Sequence, residues 1–182
     1  CTRELYCTIK PDVPILQERS MSTVEDLKNR TPQGFGVTVE TLTPTDQDIR
    51  VLSAQLGRTV RDVIEIPARC VCGNPLVAAT APRLSNGSPF PTVFYLAHPA
   101  ITAAASRLEA GGLMYEMTDA LAADPELASR YTLAHENYLA ERERIRLISG
   151  TDEVPEIENI SAGGMPTRVK CLHAVVGHAL AA

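Results

Sequence analysis

Hydrophobic and polar positions recur along this chain in segments of different period, and the clearest begins at Thr43-Pro44-Thr45-Asp46. Ile49, Leu52 and Leu56 return at the spacing of one helical face, and Gly57 supplies a stop. Thr43 is expected to cap this helix with Pro44 at its first position, since the N–H that proline lacks is one the first turn leaves unpaired. Val60, Val63, Ile64 and Ile66 then suggest a strand that Pro67 ends. Leu76 to Thr80 and Thr92 to Ala97 read as a second and a third strand. Between them runs a loop from Pro82 to Pro91, where Ser85-Asn86-Gly87 has the chemistry of a tight turn.

Helical spacing dominates the remainder. Pro99 opens a helix that Gly111 and Gly112 close, with Ile101, Ala104, Ala105 and Leu108 on its packing side. Met114, Met117 and Leu121 mark a short helix. From Pro125 the longest one carries Leu127, Tyr131, Ala134, Tyr138 and Ile145. Tyr131 and Tyr138 are expected to pack on one broad face, and Glu141-Arg142-Glu143-Arg144 to form a solvated one. Residues 149–166, with Gly150, Pro155, Gly163, Gly164 and Pro166, read as a long loop, which calls for mobility or a binding reason. Val169, Leu172, Val176 and Leu180 predict a last helix. The pattern is α+β, a small antiparallel sheet of about three strands covered by about four or five helices.

Residues 1–42 show no sustained period and are expected to be an N-terminal extension, flexible or added for expression, ahead of one domain over 43–182. The chain opens with Cys1, so its natural start is open, and Met21 is an alternative. At 182 residues it can bury a sizeable core without help from a metal. A net charge of -5 and a pI near 5.4 give no bulk attraction to nucleic acid or to an anionic membrane. No apolar run reaches the length of a membrane span, and the first residues lack the apolar core of a signal peptide, so the expected location is cytoplasmic. Five cysteines, an odd number, argue for thiols or thiolate ligands rather than a disulfide scaffold.

Four of the side chains have metal-ligand chemistry: Cys70 and Cys72 in Arg-Cys-Val-Cys-Gly, His98 after the third strand, and Cys171 in Lys-Cys-Leu-His. Thiolate sulfur and imidazole nitrogen suit zinc, and four such ligands complete the tetrahedron of a structural site. His173 is the alternative to Cys171; the two share an ion only if Cys171 precedes the regular helix, because within it they point about 200° apart. His178 lies about 10 Å along the helix from Cys171, too far for the same zinc. Competing readings are buried thiols with separate structural roles and redox chemistry at the Cys70/Cys72 pair. Arg83, Arg107, Arg168 and Lys170 form a candidate anion-binding set for a small anionic ligand, the last two near the start of the final helix. No Gly-x-Ser-x-Gly elbow, dinucleotide fingerprint or nucleic-acid motif is present.

Arg69-Cys70-Val71-Cys72-Gly73, Pro89-Phe90-Pro91-Thr92, Ser106-Arg107-Leu108-Glu109-Ala110 and Arg168-Val169-Lys170-Cys171-Leu172-His173 together resemble a known family. It is the mainly actinobacterial group of small proteins catalogued as domain of unknown function number 501, and the resemblance runs from about Thr43 to the C-terminus. It implies no established activity. Members often carry a cysteine where His98 stands here, a replacement that keeps ligand chemistry. They also tend to continue in a short polar tail beyond the point where this chain stops, and their genes often lie near cell-division or polyphosphate-phosphatase genes, which implies a cytoplasmic protein partner. The expected function is an accessory or interaction protein with a structural zinc site. The alternatives are a metal-dependent hydrolase or other small-molecule enzyme, with Glu109 or His173 as a nearby base, and a metal-free anion-binding module. Homo-oligomerisation is left open.

Overall fold

The computed structural model describes residues 42–182, so the expected extension, apart from Leu42, lies outside the described residues. Helix α1 (Asp46–Leu56) leads to strands β1 (Val63–Arg69), β2 (Pro75–Thr80) and β3 (Phe94–Leu96). Helices α2 (Pro99–Ala110), α3 (Leu113–Ala123) and α4 (Pro125–Ile148) follow, then a 3₁₀ turn (Pro155–Ile157) and α5 (Leu172–Ala181). The strands form one antiparallel sheet in the order β1-β2-β3, so the α+β expectation holds.

Two boundaries move for identifiable reasons. The cap of α1 is Thr45, two residues later than expected: its hydroxyl accepts from the Asp48 N–H and the Asp48 carboxylate accepts from the Thr45 N–H, a reciprocal capping box. Pro67 does not end β1. β1 is an edge strand whose pairing with β2 is irregular between Glu65 and Ala68, so a residue without an N–H costs no ladder bond there.

The sheet is covered on both faces, which is why β2 is buried throughout. Val77 and Ala79 pack with Tyr138 and Ile145 of α4 and Ala174 and Ala181 of α5, while Ala78 packs with Leu52 of α1. Gly177 lets α5 lie directly on β3, since a Cβ there would sit 3.2 Å from the Phe94 carbonyl oxygen.

The Glu141–Arg144 run is not a solvated face. Arg144 forms a bidentate pair with Glu65 on β1 at 2.8–2.9 Å and a further bond to Glu141 at 2.9 Å. Arg142 donates to the carbonyls of Ile157 (2.7 Å), Glu158 (2.8 Å) and Ile160. The long loop therefore folds back over α4, and its order comes from a buried guanidinium that satisfies three of its carbonyls. Glu141, Arg142 and Arg144 survive burial because the first and last are ion-paired and Arg142 has carbonyl acceptors.

The ring of His178 lies between Phe94, stacked at 5.8 Å, and Tyr138, edge-on at 5.1 Å, with Nε2 2.6 Å from Asn137 Oδ1. Burial pushes its pKa from 6.5 down to about 4, and burial lowers His98 as well. The folded state thus binds fewer protons than the unfolded chain between those two values. Stability is full above about pH 6.5 and falls as the pH drops towards 4, by roughly 3 kcal/mol from His178. Urea unfolding at pH 7 and pH 4.5 should show this loss, and His178→Gln should flatten most of it.

Candidate functional site

Helix spacing and one helix start build the site. Ser106 and Glu109 lie three residues apart on α2, hence on one face, and that face meets the N-terminus of α5. Cys171 is the N-cap of α5, in extended conformation (φ -153°, ψ 112°), so it precedes the regular helix as sharing an ion with His173 requires. Its side chain makes no capping bond. Glu109 supplies the missing acceptor from another helix: its Oε1 takes the Leu172 N–H at 2.6 Å and lies 3.0 Å from His173 Nδ1.

Burial alone would raise the Glu109 carboxyl, but the His173 hydrogen bond and the Leu172 amide outweigh it and hold the group below its ordinary value. An ionised carboxylate only accepts, so in neutral His173 the hydrogen sits on Nδ1. Nε2 then accepts from the Ser106 hydroxyl, 3.3 Å away.

Ligand atoms of Glu109, Cys171 and His173 all lie within 4.8 Å of one another, and among the described residues this is the one group of three or more such side chains that could hold a metal ion. A tetrahedral ion with N and O bonds of about 2.0 Å has an N–O edge of about 3.3 Å. The 3.0 Å between His173 Nδ1 and Glu109 Oε1 is close to that edge, so an ion can replace the proton they share. Cys171 and His173 also line a cavity of about 570 Å³, with Gln55, Tyr95, Leu96 and Thr102 among its walls.

The expected quartet is divided. Cys70 and Cys72 are joined to each other in a disulfide at the β1–β2 turn, and disulfide sulfurs are not thiolate ligands. His98 is buried as the N-cap residue of α2, its Nδ1 without a partner among the described residues. Cys171 and the alternative ligand His173 are brought together, and Glu109, weighed from sequence only as a base, is the third donor. Its partners are 63 and 64 residues away, so no local period marks them; the one signal was that Ser106–Ala110 and Arg168–His173 both belong to the segments that carry the family resemblance.

The four residues of the anion set lie apart from the cavity beside Cys171. Arg83 is engaged by Glu156 through two bonds of 2.8–2.9 Å and by the Gly87 carbonyl. Arg107, Arg168 and Lys170 are exposed, and none of the four lines the cavity beside Cys171.

A family model described as a protein of unknown function (DUF501) matches residues 66–182. The chain belongs to that family. The matched span begins within β1 and holds β2, β3, α2 to α5 and all of Ser106, Glu109, Cys171 and His173, while α1 lies before it. No curated protein and no solved structure matches the chain. No helix among the described residues is long and apolar enough to cross a membrane.

The approach to Cys171 depends on Gly164. It has φ +92°, and a Cβ there would stand 2.6 Å from the Arg168 carbonyl oxygen and 2.9 Å from the Lys170 side chain. Gly164→Ala is expected to cost on the order of 2 kcal/mol and to swing Cys171 away from Glu109. Thermal unfolding and zinc content measured on the same preparation check both effects.

Proposed function

We propose that this protein is a zinc-dependent small-molecule enzyme of hydrolase type, with the ion on Glu109, Cys171 and His173. The observation that supports it is a three-donor group of which two members, Cys171 and His173, line a cavity. Three protein ligands and one open position are the pattern of a catalytic zinc, whereas a structural zinc takes four. The expected structural role also has less to do here, because the Glu109 bond to the Leu172 amide already fixes the start of α5. An ion in this place would lower the pKa of a bound water and polarise a carbonyl or phosphoryl oxygen entering from the cavity. Ser106, bonded to His173 Nε2, would hold the ring with Nδ1 turned towards Glu109 and the ion. The test compares zinc-loaded and chelated protein on activated carboxylic and phosphate esters. Hydrolysis that chelation removes and zinc restores supports the proposal; equal rates with and without metal overturn it.

The second reading, a cytoplasmic accessory protein, draws on Leu108 and Tyr115, which are 50% and 76% exposed on either side of the Gly111-Gly112 corner. It requires a protein partner for that apolar corner, and Tyr115→Ser should then weaken association and leave any esterase activity intact.

A further inference from the structure

Outside the Glu109–Cys171–His173 group, the Cys70–Cys72 disulfide has no evident structural task. It spans one intervening residue, so it removes little freedom from the unfolded chain, where the benefit of a crosslink grows with the loop it closes. The turn is already held without it: Cys70 N–H donates to the Asn74 carbonyl at 2.9 Å and Gly73 N–H to the Cys70 carbonyl at 2.8 Å. Arg69, paired with Asp48, also donates to the Gly73 carbonyl at 3.0 Å and braces the turn from within. A bond that can open without loss of the surrounding structure is suited to exchange.

Its two sulfurs differ. Cys70 is 8% exposed and belongs to the core cluster, whereas Cys72 is exposed beside Val71, at 84% the most exposed large apolar residue described. The Cys72 N–H points at Cys70 Sγ, 3.2 Å away. That amide would stay in place to hold a thiolate on Cys70, the property of a good leaving group. We propose that Cys70–Cys72 is a thiol–disulfide exchange site that takes electrons from a dithiol protein, with Cys72 as the sulfur attacked and Val71 as an apolar contact.

A partner thiolate attacks Cys72 Sγ, the Cys70–Cys72 bond breaks, and its electron pair leaves on Cys70 Sγ. The partner's second thiolate then attacks the partner sulfur of the mixed disulfide and expels Cys72 as a thiolate. Two electrons have passed: the partner ends as a disulfide, and Cys70 and Cys72 end as thiols after taking protons from water. Run backwards, the same steps reduce a disulfide substrate. In a reducing compartment such bonds are transient and catalytic or sensing rather than structural.

The site is independent of the zinc proposal, since neither sulfur belongs to the metal group, and EDTA separates the two in the test. The full chain is equilibrated in glutathione buffers of graded ratio with EDTA, alkylated, and weighed by intact mass and peptide mapping. The pair is expected to interconvert as a two-electron unit, with melting temperatures of the two forms within about 2 °C. Cys70→Ser, exposed to glutathione disulfide, should acquire glutathione on Cys72 at least ten-fold faster than Cys72→Ser acquires it on Cys70. The proposal is overturned if the pair stays wholly oxidised or wholly reduced across the buffers, if reduction unfolds the protein, or if the two single variants react at the same rate. The wild-type titration decides the first two points even if a variant fails to fold.

Discussion

Replacing Cys171 with serine is expected to lower zinc affinity by about 100-fold or more while leaving the metal-free protein as stable as before, or slightly more so. Both parts follow from the position of one residue. As a donor, the Cys171 thiolate is one of three that can meet at one ion, and a serine hydroxyl is a poor substitute for sulfur at zinc. As an N-cap, Cys171 makes no side-chain bond to α5, whereas serine is among the preferred caps and could recover up to about 1 kcal/mol. The variant should therefore melt at or above wild type in EDTA. In zinc at about 100 times the wild-type Kd, wild type should gain about 2.7 kcal/mol and the variant about 0.4 kcal/mol or less. Calorimetry under both conditions separates loss of metal from loss of fold. Equal zinc stabilisation of both proteins would remove Cys171 from the site.

The largest effect on folding is expected at Tyr138. The side chain has no exposed surface, its ring meets Phe94 edge-on at 5.8 Å and His178 at 5.1 Å, and it sits where α4, α5 and the sheet converge. Its hydroxyl accepts the Val93 N–H at 2.7 Å and donates to the Pro91 carbonyl at 3.0 Å, pinning the entry to β3. Burial, partly offset by the Val93 amide, pushes the phenol up to about 12, so it keeps its proton throughout the working range. Tyr138→Ala opens a cavity and is expected to cost about 4 kcal/mol, lowering the melting temperature by roughly 10 °C. Tyr138→Phe keeps the ring but leaves two backbone groups without a partner, at about 2 kcal/mol. If the phenylalanine variant matched wild type, the Pro91–Val93 anchor would not be a stabilising contact.

Where local pattern determines local structure, the elements are legible in the sequence. Pro99, the paired glycines at 111 and 112, and Pro125 place α2 to α4, and the period through Tyr131, Tyr138 and Ile145 identifies the buried side of α4. Helix geometry alone required Cys171 to stand outside α5 if it was to work with His173, and that is where it stands. What escaped the sequence depends on distant partners. The alternating charges at 141–144 look solvated until Glu65 on β1 and the carbonyls at 157–160 supply their mates. Pro67 looks like a terminator until its strand proves to be an edge. Glu109 reads only as a candidate base until α5 presents its first amide to it. Cys70 and Cys72 were grouped with Cys171 by ligand chemistry, but the short turn brings their sulfurs to each other.

The central claim is that one ion sits on Glu109, Cys171 and His173. Metal analysis of freshly purified protein, followed by cobalt substitution and absorption spectroscopy, tests it most directly. The account predicts about one equivalent of zinc per chain and a thiolate-to-cobalt charge-transfer band. That band should vanish in Cys171→Ser, weaken with the affinity in Glu109→Gln and His173→Ala, and persist in Cys70→Ser. Absence of retained metal, or a band that survives Cys171→Ser and disappears with Cys70→Ser, would contradict it.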